Sequence, residues 1–92
     1  MREVIAAFAD PRYIAAMQVR LLAFAHTRGQ LGFGERLVEC AAADTPRALL
    51  ARVSPDFSTV GLRVAVDGEY HDWDAPIGAA SEVALIPPVS GG

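Results

Sequence analysis

The chain has 92 residues, with 8 Lys and Arg against 11 Asp and Glu, for a formal net charge of -3. This length makes one small domain, and 52% apolar with 21% charged residues marks a globular chain rather than a disordered one. The acidic balance excludes nucleic-acid binding through a phosphate-neutralising face, and no stretch approaches the roughly 20 apolar residues of a membrane span.

Residues 1–16 read as an appended extension. Val4, Ile5, Phe8 and Ala9 have helical spacing, but Asp10-Pro11 stops the run. The apolar stretch is too short for a signal peptide, so a cytoplasmic location is expected. Met17 opens a stronger pattern and marks the expected start of a domain over residues 17–86. Residues 18–25 alternate and then turn continuously apolar, which predicts a central strand covered on both faces. His26-Thr27-Arg28-Gly29-Gln30 reads as a polar loop. Gly32-Phe33-Gly34 is a turn and not a phosphate loop, because strand alternation over 35–40 follows where a helix would be needed.

Asp44-Thr45-Pro46 starts a helix, with Thr45 as N-cap and Pro46 at the first helical position. Leu49, Leu50 and Val53 share one face, and Ser54-Pro55 ends the run. Phe57, Val60 and Leu62 are expected to extend that core. Residues 62–66 alternate as a strand, Asp67-Gly68 signals a two-residue hairpin, and 69–73 returns as a short polar strand with Trp73 a partly buried anchor. Residues 82–86 form a last apolar strand, stopped by Pro87-Pro88 because proline cannot donate to a ladder. The order is β-β-α-β-β-β, and the apolar first and last strands should be neighbours at the centre. This is an α+β pattern, a ubiquitin-like β-grasp roll whose mixed sheet of about five strands carries one main helix on one face.

Enzyme constellations are poorly represented. Cys40 is the only cysteine and reads as a small buried hydrophobe, so neither a disulfide nor a cysteine zinc cluster is available. His26 and His71 lack ligand spacing, which leaves no metal site. Asp67, Glu69, Asp72 and Asp74 read as a solvated acidic edge. Ser54, Ser58, Ser81 and Ser90 have no nucleophile-elbow context, so no catalytic group of the chain's own is expected.

The tail remains. With glycine at about 7% of average usage, a Gly-Gly end arises by chance in about 0.5% of chains. It is either a frayed end or a stalk thin enough to thread a narrow channel in another protein. From Pro87 to Gly92 the stalk spans roughly 20 Å when extended. Its carboxylate is unreactive until another enzyme activates it, for instance as an acyl-adenylate. The chain would then be the carrier and its partner the catalyst.

The ending Glu82-Val83-Ala84-Leu85-Ile86-Pro87-Pro88-Val89-Ser90-Gly91-Gly92 closely resembles that of the small, sulfur-carrier subunits of molybdopterin synthase. Phe24-Ala25-x-x-Arg28 with Gly32 fits that family's Phe-Ala-x-x-Arg and following Gly. Val66-Asp67 stands where the family usually has Val-Asn, and Pro76-Ile77 precedes the last strand as in the family. The likeness covers residues 17–92. Gly29 replaces a common glutamate, Ala80-Ser81 replaces Gly-Asp, and the segment between Gly32 and Glu35 is shortened.

The resemblance implies that an E1-like adenylyltransferase uses ATP to adenylate Gly92, and that a persulfide-bearing partner converts the adenylate to a thiocarboxylate. The chain itself would bind no cofactor. The tail would then enter the large catalytic subunit and give its sulfur to cyclic pyranopterin monophosphate, building the molybdopterin dithiolene of the molybdenum cofactor. Gly91, Ser90, Val89, Pro88 and Pro87 would thread the channel. Phe24 and Arg28 are docking candidates, although for Phe24 burial in the core is the expected reading. Alternatives are a carrier for thiazole, cysteine or tRNA thiolation, a protein-conjugating modifier, and an interaction module with an inert tail.

Overall fold

In the computed structural model, which describes residues 16–88, β1 (Ala16–Ala23) runs antiparallel to β2 (Glu35–Ala41) and parallel to β5 (Glu82–Ile86). What the sequence suggests for residues 1–15 and 89–92 lies outside the described residues. β3 (Arg63–Val66) pairs antiparallel with β5 and with β4 (Glu69–His71), which gives the order β2-β1-β5-β3-β4. This is the mixed five-stranded sheet of a ubiquitin-like β-grasp fold, with the two most apolar strands adjacent at its centre. β1 starts and stops two residues earlier than the alternation predicts.

Among the described residues there are two helices, α1 (Ala25–Leu31) and α2 (Pro46–Val53), where the sequence suggests one main helix. α1 replaces the expected loop over 26–30. Gly29 in its middle and the polar run His26-Thr27-Arg28 hide it, since neither propensity nor apolar periodicity signals a helix there. Gly32 ends it as a left-handed cap, at φ +88° with its N–H donating to Arg28 O at 2.9 Å. In α2, Thr45 Oγ1 accepts from the Ala48 N–H at 3.1 Å and Pro46 sits in the first turn, as the sequence predicts.

The core lies between α2 and one face of the sheet. Leu49 and Leu50 pack with Val19, Leu21, Val64, Val83 and Leu85, and each such side chain contributes about 1.5–3 kcal/mol on burial. Cys40 joins them as expected. Phe57 packs at the margin and Leu62 is half-buried, but Val60 is 90% exposed. The reason is a turn in which the Leu62 N–H donates to Thr59 O at 2.9 Å, leaving Val60 at its outer corner.

The hairpin between β3 and β4 has φ of +49° at Asp67 and +87° at Gly68, the pair of positive values that a type I′ turn requires. Asp67 also reaches the start of β5, where its Oδ1 accepts from the N–H groups of Ser81 (2.9 Å) and Glu82 (3.0 Å). An Asp supplies this acceptor as well as an Asn does, which accounts for Val-Asp in place of Val-Asn. The acidic edge is accordingly not merely solvated. Asp74 is held bidentately by Arg47 at 2.7 and 3.2 Å, and Asp72 Oδ1 accepts from the Asp74 N–H at 2.8 Å. β4 stops at His71, two residues short of Trp73. Trp73 instead anchors the following loop, its Nε1 donating to Leu62 O at 3.3 Å.

Asp44 ties this loop side of the domain to α2. Its Oδ2 accepts from the Ala41 N–H at 2.8 Å and pairs with Arg52 Nη1 at 2.9 Å. The Arg52 bond is the main cause that holds the Asp44 carboxyl below its ordinary value, with the Ala41 amide adding to it against the effect of burial. A depressed folded value stabilises fully above the unfolded carboxylate's value of about 3.9 and is lost as pH falls through the folded one. Urea midpoints should therefore fall as pH drops below about 4, and Arg52→Met should flatten that fall. Equal acid sensitivity in both chains would contradict the assignment.

Candidate functional site

β5 ends at the middle of the sheet, not at an edge. Leu85 lies opposite Ala23 at the end of β1, and Ile86 lies opposite Arg63 at the start of β3. Pro87 and Pro88 follow, and neither has an N–H to continue either ladder. The chain therefore leaves the sheet between two strands that could otherwise have kept it. Pro87 is half-buried and Pro88 exposed. Val89, Ser90, Gly91 and the candidate sulfur-bearing Gly92 lie outside the described residues.

The same end of the sheet carries both docking candidates. Phe24 follows β1 in extended conformation (φ -127°, ψ 158°) and is 48% exposed, so the core reading of this residue is overturned. It sits on the β1 parity of Arg20 and Leu22, opposite to that of the buried Val19, Leu21 and Ala23, and so turns away from the core. Ala25, next in the chain, has φ +52°, a left-handed value costing about 1–2 kcal/mol in a residue with a Cβ. That strain is spent on the abrupt step from strand to α1. Arg28 lies across Gly34, where an added Cβ would stand 2.9 Å from Arg28 Nε. Gly34 in turn accepts from the Ala23 N–H at 2.9 Å, which fixes it against the end of β1. Among the described residues Arg28 makes no ion pair, whereas Arg20, Arg47 and Arg52 each pair with a carboxylate.

Beside Pro88 runs a groove of about 370 Å³, lined by His26, Thr27 and Gln30 of α1 and by Phe57 and Val60 of the segment before β3. Thr27 is fully buried, and its Oγ1 has no hydrogen-bond partner among the described residues, a condition that costs about 1–3 kcal/mol. Sequence reasoning missed this groove because it read α1 as a loop and Val60 as core. The Gly32 cap was the one local signal that could have revealed the helix.

Nothing else among the described residues competes as a reactive centre. Cys40 is buried, and burial foremost, with the Asp44 charge adding, raises its thiol above the ordinary value despite nearby Arg52. It is therefore held neutral and unreactive. No group of three or more His, Cys, Asp or Glu among the described residues could hold a metal ion. His71 Nε2 lies 3.1 Å from Ala75 O, a structural contact of its loop. No helix among those described is long and apolar enough to cross a membrane.

Residues 21–92 match the ThiS family. Among solved structures, SAMP1 of Haloferax volcanii superposes with a TM-score of 0.65 at 24% identity, over 83% of this chain and 100% of that one. A putative molybdopterin converting factor subunit 1 of Pyrococcus furiosus gives 0.64 at 22% identity, over 79% and 99%. The small archaeal modifier protein 1 of Methanosarcina acetivorans gives 0.62 at 18%, over 84% and 98%. At these identities the structural likeness establishes the shared fold, and the family match spans the exit of the tail together with the tail itself.

The exposure of Phe24 has a direct consequence for stability. Phe24→Ala should lower unfolding free energy by about 1 kcal/mol or less, against about 2–5 kcal/mol for Leu21→Ala in the core. Denaturant titration reads both, and a core-sized loss at Phe24 would contradict its placement on the surface.

Proposed function

The chain belongs to the ThiS family of ubiquitin-like sulfur carriers, and from that premise we propose that it is the sulfur-carrier subunit of a molybdopterin synthase. The observation that carries this reading is the ending Pro87-Pro88-Val89-Ser90-Gly91-Gly92, set after a strand at the sheet's midline. Other sulfur carriers share the diglycine but usually lack this Pro-Pro-Val-Ser lead-in. The Pyrococcus furiosus neighbour, a putative molybdopterin converting factor subunit, agrees with it in fold.

In this mechanism an E1-like partner binds ATP, and the Gly92 carboxylate attacks its α-phosphate to form a glycyl-adenylate and pyrophosphate. The adenylate gives the acyl carbon a leaving group that a bare carboxylate lacks. The terminal sulfur of a partner's persulfide then attacks the acyl carbon and expels AMP, and a thiol cleaves the resulting acyl disulfide, forming a disulfide with the partner's sulfur and leaving a C-terminal thiocarboxylate. The large synthase subunit receives the tail, and the sulfur passes to cyclic pyranopterin monophosphate to build the dithiolene. The chain's own contributions are reach, thinness and docking. Pro87 and Pro88 hold the base extended, Val89 and Ser90 lead in, and Gly91 and Gly92 pass a channel that a Cβ would obstruct. Phe24 and Arg28, exposed at the exit, present an apolar and a cationic contact to whichever partner holds the tail.

Deleting Gly91 and Gly92 should abolish molybdopterin formation in a reconstituted synthase while leaving the thermal unfolding of the domain unchanged. Gly91→Val should have the same effect through steric block alone. Undiminished molybdopterin formation by the truncated chain would refute the carrier role. Restoration of thiolated tRNA or thiazole without molybdopterin would place the same chemistry in another pathway.

A further inference from the structure

All eight basic side chains of the sequence are arginines, and its 92 residues hold no lysine. Lysine is ordinarily among the commonest residues, and the structure gives no geometric reason to exclude it throughout. Arg47 does use its fork, gripping Asp74 through two nitrogens. Arg28, Arg36 and Arg63, however, make no ion pair among the described residues. Arg36 and Arg63 lie over the rings of Phe33 and Tyr70, 5.8 and 4.0 Å from the centroids, where an ammonium would also be attracted. Both are exposed, and both stand at the end of the sheet from which the chain leaves. Arg63 is the β3 partner of Ile86, the last residue of β5.

What separates the two cations at such a place is reactivity. A guanidinium keeps its proton and offers no nucleophile. A lysine amine, with an ordinary pKa of about 10.4, frees a small nucleophilic fraction at neutral pH. On the carrier reading, on which this inference rests, the end of the chain becomes an activated acyl group. A lysine within reach would attack the acyl carbon through its Nζ. The C–N bond forms, the C–O bond to the phosphate breaks, AMP leaves with the electron pair, and the proton of the amine passes to water. The amide so formed no longer accepts sulfur. Capture by a thiol is closed off as well, since Cys40, the only cysteine, is buried and held neutral. We propose that the arginine-only surface is a chemoselectivity device, supplying positive charge at the exit while denying the activated carboxyl a side-chain amine on its own chain or on another copy. Lysine-linked polymers of the chain with itself are excluded by the same means.

The test installs the activated end chemically, so that it depends on no partner. The full chain is released from a self-cleaving fusion as its Gly92 thioester and kept in mildly alkaline buffer. The wild-type chain should lose the thioester chiefly to hydrolysis, giving the free acid. Arg63→Lys and Arg36→Lys keep the charge, and each should form several-fold more amide. Intact mass reads that amide as a chain one water lighter than the free acid or as a covalent dimer. Fragmentation should place it on the substituted residue, and neither thiol nor hydroxylamine should release it. As much amide in the wild-type chain as in the variants would overturn the inference, and so would variants that only hydrolyse. No sulfur transfer is involved, so the carrier role stands or falls by separate measurements.

Discussion

The parallel pairing of β1 with β5 is the constraint on which the rest of the molecule depends. Strands joined in parallel need a long crossover, and here the whole interior of the chain serves as one. It builds β2 on one side, crosses through α2, and builds β3 and β4 on the other before β5 closes the gap. The register Leu21 to Val83 and Ala23 to Leu85 aligns the most deeply buried positions of the two strands on the α2 face. Because β5 is the last described strand and is central in the sheet, the chain leaves it at the midline, flanked on each side. The Asp67 carboxylate pins the other end of β5, so the strand is set in place from its first residue.

From that placement the division of labour follows. A terminus leaving the middle of a rigid sheet has a fixed origin and direction, whereas one leaving an edge strand could fray back along the sheet. The proline pair uses this origin by ending both ladders at once. The remaining groups are committed to structure: Asp44 to Arg52 and the Ala41 amide, Asp74 to Arg47, Trp73 to the Leu62 carbonyl, Cys40 to the core. Under the proposed function a carrier would need no more, since the chemistry would belong to the enzymes that activate and empty it. Phe24 and the strained step at Ala25 stand at the exit, where exposure of an aromatic ring costs the core little.

Most of the fold was legible because its signals are local and redundant. Thr45-Pro46 fixed the start of α2, Asp67-Gly68 fixed the hairpin, and the apolarity of residues 18–25 and 82–86 fixed the central pair. α1 was not legible, because seven residues around Gly29 carry neither periodicity nor propensity, and only its packing and the Gly32 cap hold it. Errors at Phe24 and Val60 share a cause: residue type suggested burial, while strand parity at one and a turn corner at the other turned the side chain outward. The groove beside Pro88 was invisible for the same reason, since it exists only between α1 and the turn. The sequence singled out the diglycine ending by composition and motif, but that the chain leaves the sheet at its midline through Pro87 and Pro88 required the topology.

The most direct test of the account is the intact mass of the chain after incubation with an adenylating enzyme, ATP, a persulfide sulfur source and a thiol reductant. The account predicts replacement of one oxygen by sulfur, localised to Gly92 by fragmentation and absent from a chain lacking Gly91 and Gly92. An unchanged mass, or sulfur found on Cys40 instead, would contradict it.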